Sequence, residues 1–158
     1  MKVLLVVDLQ KQFRDKFWMY EKCLDYIKSH RDEYFVVATF FENTDNSMFD
    51  RHLDWHDCKN SSDSDLEFPY DYCMSKTWYS ADKDGKLLDF IHDTYGDGNE
   101  YFIIGCESDA CILATAFDLW DKKIDFKILS DYIYTNNPDI SEDMMLSLLK
   151  RNFWNCIM

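Results

Sequence analysis

Five short, mostly apolar runs divide this chain: Lys2–Val7, Tyr34–Phe41, Tyr72–Ser75, Tyr101–Gly105 and Ile124–Leu129. A strand with one wet face alternates apolar and polar residues. Near-continuous apolar runs suit strands covered on both faces, as in a parallel sheet. A weaker sixth run lies near Trp154–Ile157. Helical patterns fall between them, at about Trp18–Ser29, Lys83–Tyr95, Ala110–Asp121 and Ile140–Arg151. In the last, Asp139 or Ser141 caps, Glu142 and Asp143 occupy the first turn, and Met145, Leu146, Leu148 and Leu149 form the apolar stripe. This alternation predicts a three-layer α/β/α sandwich around a mostly parallel sheet of about six strands, in Rossmann-like order 3-2-1-4-5-6. The 158 residues suffice for one domain, 1–158, and not for two ordinary ones.

One segment stands outside the alternation. Residues 43–70 are polar and acidic, with Asn60-Ser61-Ser62-Asp63-Ser64-Asp65 at the centre. A loop this long in a compact domain forms either a functional rim or lid or a solvated excursion, and the sequence favours neither.

Composition excludes several roles. Thirty acidic residues against 17 basic ones leave a formal charge of −13, without the basic footprint that nucleic-acid binding needs. No run approaches the ~20 apolar residues of a membrane helix. The N-terminal apolar run is short for a signal-peptide core and stops at Asp8. The expectation is a cytoplasmic protein that acts on a small molecule, without nucleic acid or membrane. Six cysteines include no C-x-x-C pair, which speaks against zinc ribbons and thioredoxin-like chemistry.

In a doubly wound sheet, ligands bind beyond the carboxyl ends of the strands, where strand order reverses. Strands 1 and 4 are neighbours there. Asp8 follows the first strand, the loop to Cys111 follows the fourth, and Lys76 follows the third. Each has a plainer reading alone: a turn cap, a packed thiol, an exposed lysine. Together they form a chemical set. A thiol at a helix N-terminus next to an ammonium favours thiolate, and a carboxylate beside it supplies a base. Backbone N–H groups in the turn before Cys111 are suited to an oxyanion.

Several stretches resemble the isochorismatase-like cysteine hydrolases, a family that includes nicotinamidases and N-carbamoylsarcosine amidases. They are Val3-Leu4-Leu5-Val6-Val7-Asp8-Leu9-Gln10 with Phe13, Val36-Val37-Ala38-Thr39, Asn46-Ser47-Met48-Phe49, Ser75-Lys76-Thr77-Trp78-Tyr79-Ser80, and Gly105-Cys106-Glu107-Ser108-Asp109-Ala110-Cys111 through Ala116. Asp131 after the fifth strand also fits. The resemblance implies the isochorismatase-like fold and a triad of Cys111 as nucleophile, Asp8 as general base and Lys76 as the stabilising cation. It implies a cis peptide between Cys106 and Glu107, and an oxyanion hole from the N–H groups of Glu107 and Cys111. It also implies thioester chemistry on a small amide or ureide, and pairing as a homodimer or higher homo-oligomer. Phe13, Trp55 and Trp78 are candidates to line an apolar pocket, although core packing is the plainer reading of each.

One departure concerns metal. Nicotinamidases of this family carry an Asp-x-His metal motif after strand 2, where this chain reads Thr39-Phe40-Phe41-Glu42-Asn43-Thr44. Phe41 and Asn43 stand roughly in the place of the ligands, so neither a catalytic zinc nor another cofactor is expected. His52 and His56 would share one face if 50–57 were helical; surface packing is their commoner fate. Two further readings remain open: hydrolysis of an isochorismate-like vinyl ether, and a non-catalytic member that binds a metabolite or partner protein.

Overall fold

The computed structural model describes residues 1–16 and 18–158, with nothing said of the side chains at 15, 16 and 61. Its sheet has five strands: β1 (Lys2–Val7), β2 (Phe35–Phe41), β3 (Tyr72–Lys76), β4 (Glu100–Cys106) and β5 (Phe126–Tyr134). All pairings are parallel and the order is β3-β2-β1-β4-β5. The helices are α1 (Tyr20–Ser29), α2 (Met48–Leu53), α3 (Lys86–Tyr95), α4 (Leu113–Asp121) and α5 (Glu142–Phe153).

The period of two along β1 builds both cores. Val3, Leu5 and Val7 face one side, with Leu87 and Ile91 of α3, Ala116 and Leu119 of α4, and Met145 and Leu149 of α5. Leu4 and Val6 face the other, with Tyr20, Cys23, Leu24 and Ile27 of α1. Both sets are buried, which is why the run carries no polar alternation.

The expected sixth strand is a correction. Trp154–Cys156 forms a 3-10 turn, and only an isolated parallel bridge, Ile128 with Ile157, continues the sheet beyond β5. Ser130 N–H bonds the Met158 carbonyl at 2.8 Å and Met158 N–H bonds that of Ile128 at 2.9 Å.

β5 runs five residues further than its apolar stretch, to Tyr134, past a register shift between Ile103 and Gly105 of β4. Asp131 therefore lies within β5, on its exposed side, rather than after it. α5 is capped as expected, with the Ser141 hydroxyl accepting from Met144 N–H at 3.2 Å. α3 starts later than its pattern because Asp82 caps it from outside: its Oδ1 accepts from Leu87 and Leu88 N–H at 2.8 and 3.0 Å.

The 43–70 excursion is not structureless. It contains α2 and a 3-10 turn, Ser61–Ser64. Buried Gln10 ties it to the sheet: its Nε2 donates to the carbonyls of Phe41 at 3.0 Å and Asp63 at 3.1 Å, while its Oε1 accepts from Phe41 N–H at 2.7 Å.

Candidate active site

Asp8 is the residue at which β1 turns, with φ of 51°, a left-handed conformation that Asp tolerates better than most residues. Its N–H bonds the Thr39 carbonyl of neighbouring β2 at 3.1 Å. The Thr39 hydroxyl donates to Asp8 Oδ1 at 2.8 Å, and Cys106 Sγ donates to the Asp8 carbonyl at 3.1 Å. The carboxylate is thus aimed from two strands at once. Lys76 ends β3 and reaches under the sheet's carboxyl end. Its Nζ lies 2.6 Å from Asp8 Oδ2, with both side chains almost completely buried. The same ammonium donates to the Trp78 carbonyl at 2.8 Å and to Cys111 Sγ at 3.3 Å, and sits 5.0 Å from the centre of the Phe41 ring.

Cys111 is held by an unusual turn. Ser108–Ile112 is π-helical and runs straight into α4. Ala110 and Ile112 both donate their N–H to the Glu107 carbonyl, at 3.1 and 3.0 Å, bracketing the cysteine. The Thr115 hydroxyl donates back to the Cys111 carbonyl at 2.7 Å. Gly105 has φ of 115°, and a Cβ there would lie 2.1 Å from the Val7 carbonyl oxygen. Only glycine lets β4 pass this close to β1. The Cys106–Glu107 peptide bond is cis.

The electrostatics correct one expectation. The sequence pointed to a thiol lowered by its lysine and helix. Instead burial pushes the Cys111 thiol up, the Asp8 carboxylate pushes the same way, and the Lys76 ammonium offsets only part of this. Desolvation is the largest of these effects. For Lys76, burial works to lower the ammonium, but Asp8 and then Cys111 overcome it and the net direction is up. The Cys111 thiol thus lies against the Lys76–Asp8 contact, with Lys76 Nζ 3.3 Å from Sγ and 2.6 Å from Asp8 Oδ2. Cys106 is fully buried, and its thiol is pushed up by burial and then by Asp8.

A cavity of about 140 Å³ opens over this set. Its walls include Asp8, Phe13, Phe41, Phe49, Leu53, Trp55, Tyr79, Cys106, Glu107 and Cys111. Phe13 and Trp55 are where the sequence suggested. Trp78 is not in the lining: its ring stacks under Lys83 Nζ at 5.3 Å, and it contributes to the site only the carbonyl that holds Lys76. Its neighbour Tyr79 takes the wall position, because successive residues after a strand point opposite ways. Phe41, Phe49 and Tyr79 were not marked as wall residues in sequence because single aromatics carry no signal among 27 of them, and Leu53 stands in no motif. The Asn46–Phe49 segment was the available hint for Phe49.

His52 and His56 do not form a pair. α2 ends at Leu53 with Asp54 left-handed, so His56 lies beyond the helix. Its ring nitrogens face Asp50 at 3.3 Å and Asp54 at 2.9 Å. Among the described residues no cluster of His, Cys, Asp or Glu is arranged for a metal ion.

No protein-family model matches the chain, and no curated protein matches it. Solved structures do. The pyrazinamidase of Pyrococcus horikoshii, determined in complex with zinc, superposes with a TM-score of 0.78 at 20% identity, over 99% of this chain and 96% of that one. An isochorismatase-like hydrolase from Alkaliphilus metalliredigens gives 0.75 at 18%, over 95% and 91%. The N-carbamoylsarcosine amidase of Thermoplasma acidophilum gives 0.73 at 20%, over 97% and 92%. At these identities the likeness is one of fold: the chain has the isochorismatase-like fold.

Positions 41 and 43, where the resemblance would place metal ligands, are not suited to a zinc ion. Phe41 offers no donor. Asn43 is fully engaged: its Nδ2 donates to Asp50 Oδ1 at 3.0 Å and the Trp55 carbonyl at 2.9 Å, and its Oδ1 accepts from the Ser47 hydroxyl at 2.6 Å.

Proposed function

We propose that this chain is a metal-independent cysteine hydrolase that cleaves the C–N bond of a small amide or ureide. One observation carries the reading: Lys76 Nζ lies 2.6 Å from Asp8 and 3.3 Å from Cys111 Sγ in the wall of a cavity. This buried lysine joins a carboxylate to a thiol in the wall of the cavity.

In this mechanism the Cys111 proton passes to Asp8 as Sγ attacks the amide carbon, so the thiolate forms only when substrate is present. Lys76 holds the carboxylate in place and shields the developing negative charge on sulfur. Carbonyl oxygen turns toward the backbone N–H groups of Glu107 and Cys111. Protonated Asp8 then gives its proton to the departing nitrogen, leaving a thioester on Cys111 and free ammonia or amine. Water, giving a proton to Asp8, attacks the thioester; carboxylic acid leaves and the thiol is restored. The sum is amide plus water to acid plus amine.

The test is ammonia or amine release from a panel of small amides by the purified chain. Cys111→Ala is expected to remove turnover entirely, and Asp8→Asn to lower kcat by a factor of roughly 10² to 10⁴, the range for a general base. Turnover that survives both substitutions sinks the proposal.

A further inference from the structure

A second cavity, of about 230 Å³, borders the turn that carries Cys111 but shares no lining residue with the catalytic cavity. It lies at the open edge of the sheet. β5 is the outermost strand, and the C-terminal residues cover it only at Ile128 and Ser130. From Ser130 to Thr135 the cavity opens between the start of α5 and Trp18 and Met19, which lead into α1. Ile133, Met145 and Leu149 give it a buried apolar floor. Trp18, 67% exposed, meets Tyr134 edge to face, with ring centres 6.2 Å apart. Ser108 is the buried polar group of the lining. It is 2% exposed, belongs to this cavity and not to the catalytic one, and its hydroxyl has no hydrogen-bond partner among the described residues. Buried polar groups ordinarily have a partner; here the open side is the cavity, so the partner comes from a molecule within it.

Charge narrows the choice of that molecule. Four charged residues line the cavity, and three are acids: Asp131, Glu142 and Asp143. None of the three has an ion pair among the described residues. The fourth, Lys22, holds its ammonium 4.9 Å from the centre of the Tyr132 ring, which is outside the lining. The acids act on the wall: burial first, then the charges of Glu107 and Glu142, push the Tyr134 hydroxyl up. The N-terminus of α5 offsets part of the charge on Glu142 and Asp143. Asp131 lies in β5 and has no such offset.

We propose that this cavity is a second ligand site, which takes a small organic ammonium ion bearing a hydroxyl. The ammonium head meets the Trp18 and Tyr134 rings and the acids beside them. The hydrocarbon body covers Ile133, Met145 and Leu149, and the hydroxyl reaches Ser108. A neutral molecule of the same shape keeps the last two contacts and loses the first. The site stands apart from the amide chemistry, because none of Asp8, Lys76 and Cys111 lines it.

The experiment titrates the full chain with choline and with its carbon isostere 3,3-dimethylbutanol, which keeps the shape and the hydroxyl and lacks the charge. Ionic strength is held constant with sodium chloride. Nitrogen–proton correlation NMR reads the Trp18 indole and the Ser108 amide. Choline is expected to shift both signals saturably and to bind about tenfold more tightly than the alcohol. Asp131→Asn combined with Glu142→Gln is expected to remove most of that difference, and Ser108→Ala to weaken both ligands several-fold. The two carboxylates are exposed and their amides are isosteric, so signals elsewhere in the chain should stay in place and report an intact fold. Equal binding of the two ligands, a choline affinity that the double variant leaves unchanged, or choline that shifts neither signal overturns the proposal. The outcomes also separate this site from the hydrolase. Choline binding by a chain that releases no ammonia or amine from the amide panel keeps the second site and removes the amide chemistry. Amide turnover without choline binding does the reverse.

Discussion

At the scale of residues, the carboxylate and the lysine set the state of the thiol between them, and the sign of each effect is testable. Asp8 pushes the Cys111 thiol up and Lys76 pulls it down. Asp8→Asn removes the first effect and frees the second. Its Cys111 alkylation profile is therefore expected to move to lower pH while turnover collapses; an unmoved or upward-shifted profile contradicts the arrangement. Lys76→Met does the reverse and adds a structural cost, because it leaves a buried carboxylate without its cation. Breaking a pair this deeply buried destabilises by about 3–5 kcal/mol, readable by urea denaturation. The three residues were legible in sequence because each ends or follows a strand whose place in the sheet follows from the order of the runs. The raised thiol was not. Its cause is desolvation in the packed site, where Asp8 and Lys76 are buried beside it, and no spacing reports that. Trp78 was misassigned for a similar reason: an aromatic after a strand can face either way, and the turn through Thr77 gives the wall to Tyr79 instead.

At the scale of elements, continuous apolar runs gave four of the five strands to within a residue or two at most ends. They failed at β5, whose second half, Ser130 to Tyr134, mixes polar and apolar residues and is only partly buried, with Asp131 exposed and Ile133 buried. They failed again at the C-terminal run, which pairs at a single bridge. The close approach of β4 to β1 at Gly105 predicts that Gly105→Ala destabilises by roughly 3 kcal/mol or more, from a positive φ combined with a clash against backbone that cannot yield. Urea unfolding measures this, and a neutral substitution would mean the strands are further apart. The rim makes a separate prediction. Asp54, and then Asp50, raise His56 against the opposing effect of its desolvation. A raised histidine contributes stability that is complete below its unfolded pKa of about 6.5 and lost as pH rises through the folded value. Limited proteolysis within 43–59 should thus accelerate above neutral pH, and His56→Gln should abolish the change. The effect is small because these charges are exposed and salt-screened.

At the scale of the whole molecule, the excess of acids bears on stability. The described surface pairs, such as Lys86 with Asp84 and Arg14 with Glu21, are exposed, and such pairs contribute about 0–1 kcal/mol each. Salt weakens them. It also weakens the repulsion among 13 uncompensated negative charges, which acts across the entire surface and only in the compact state at full strength. The ion pair that matters most, Asp8 with Lys76, is buried and barely screened. Repulsion is therefore the larger of the two salt-sensitive effects, and the folded chain should gain stability as ionic strength rises. Thermal unfolding followed from ~10 mM to ~150 mM sodium chloride, where the Debye length falls from about 30 Å to about 8 Å, should show Tm climbing by several degrees. A falling Tm would mean that surface pairs, rather than the sandwich and its buried pair, hold this molecule together.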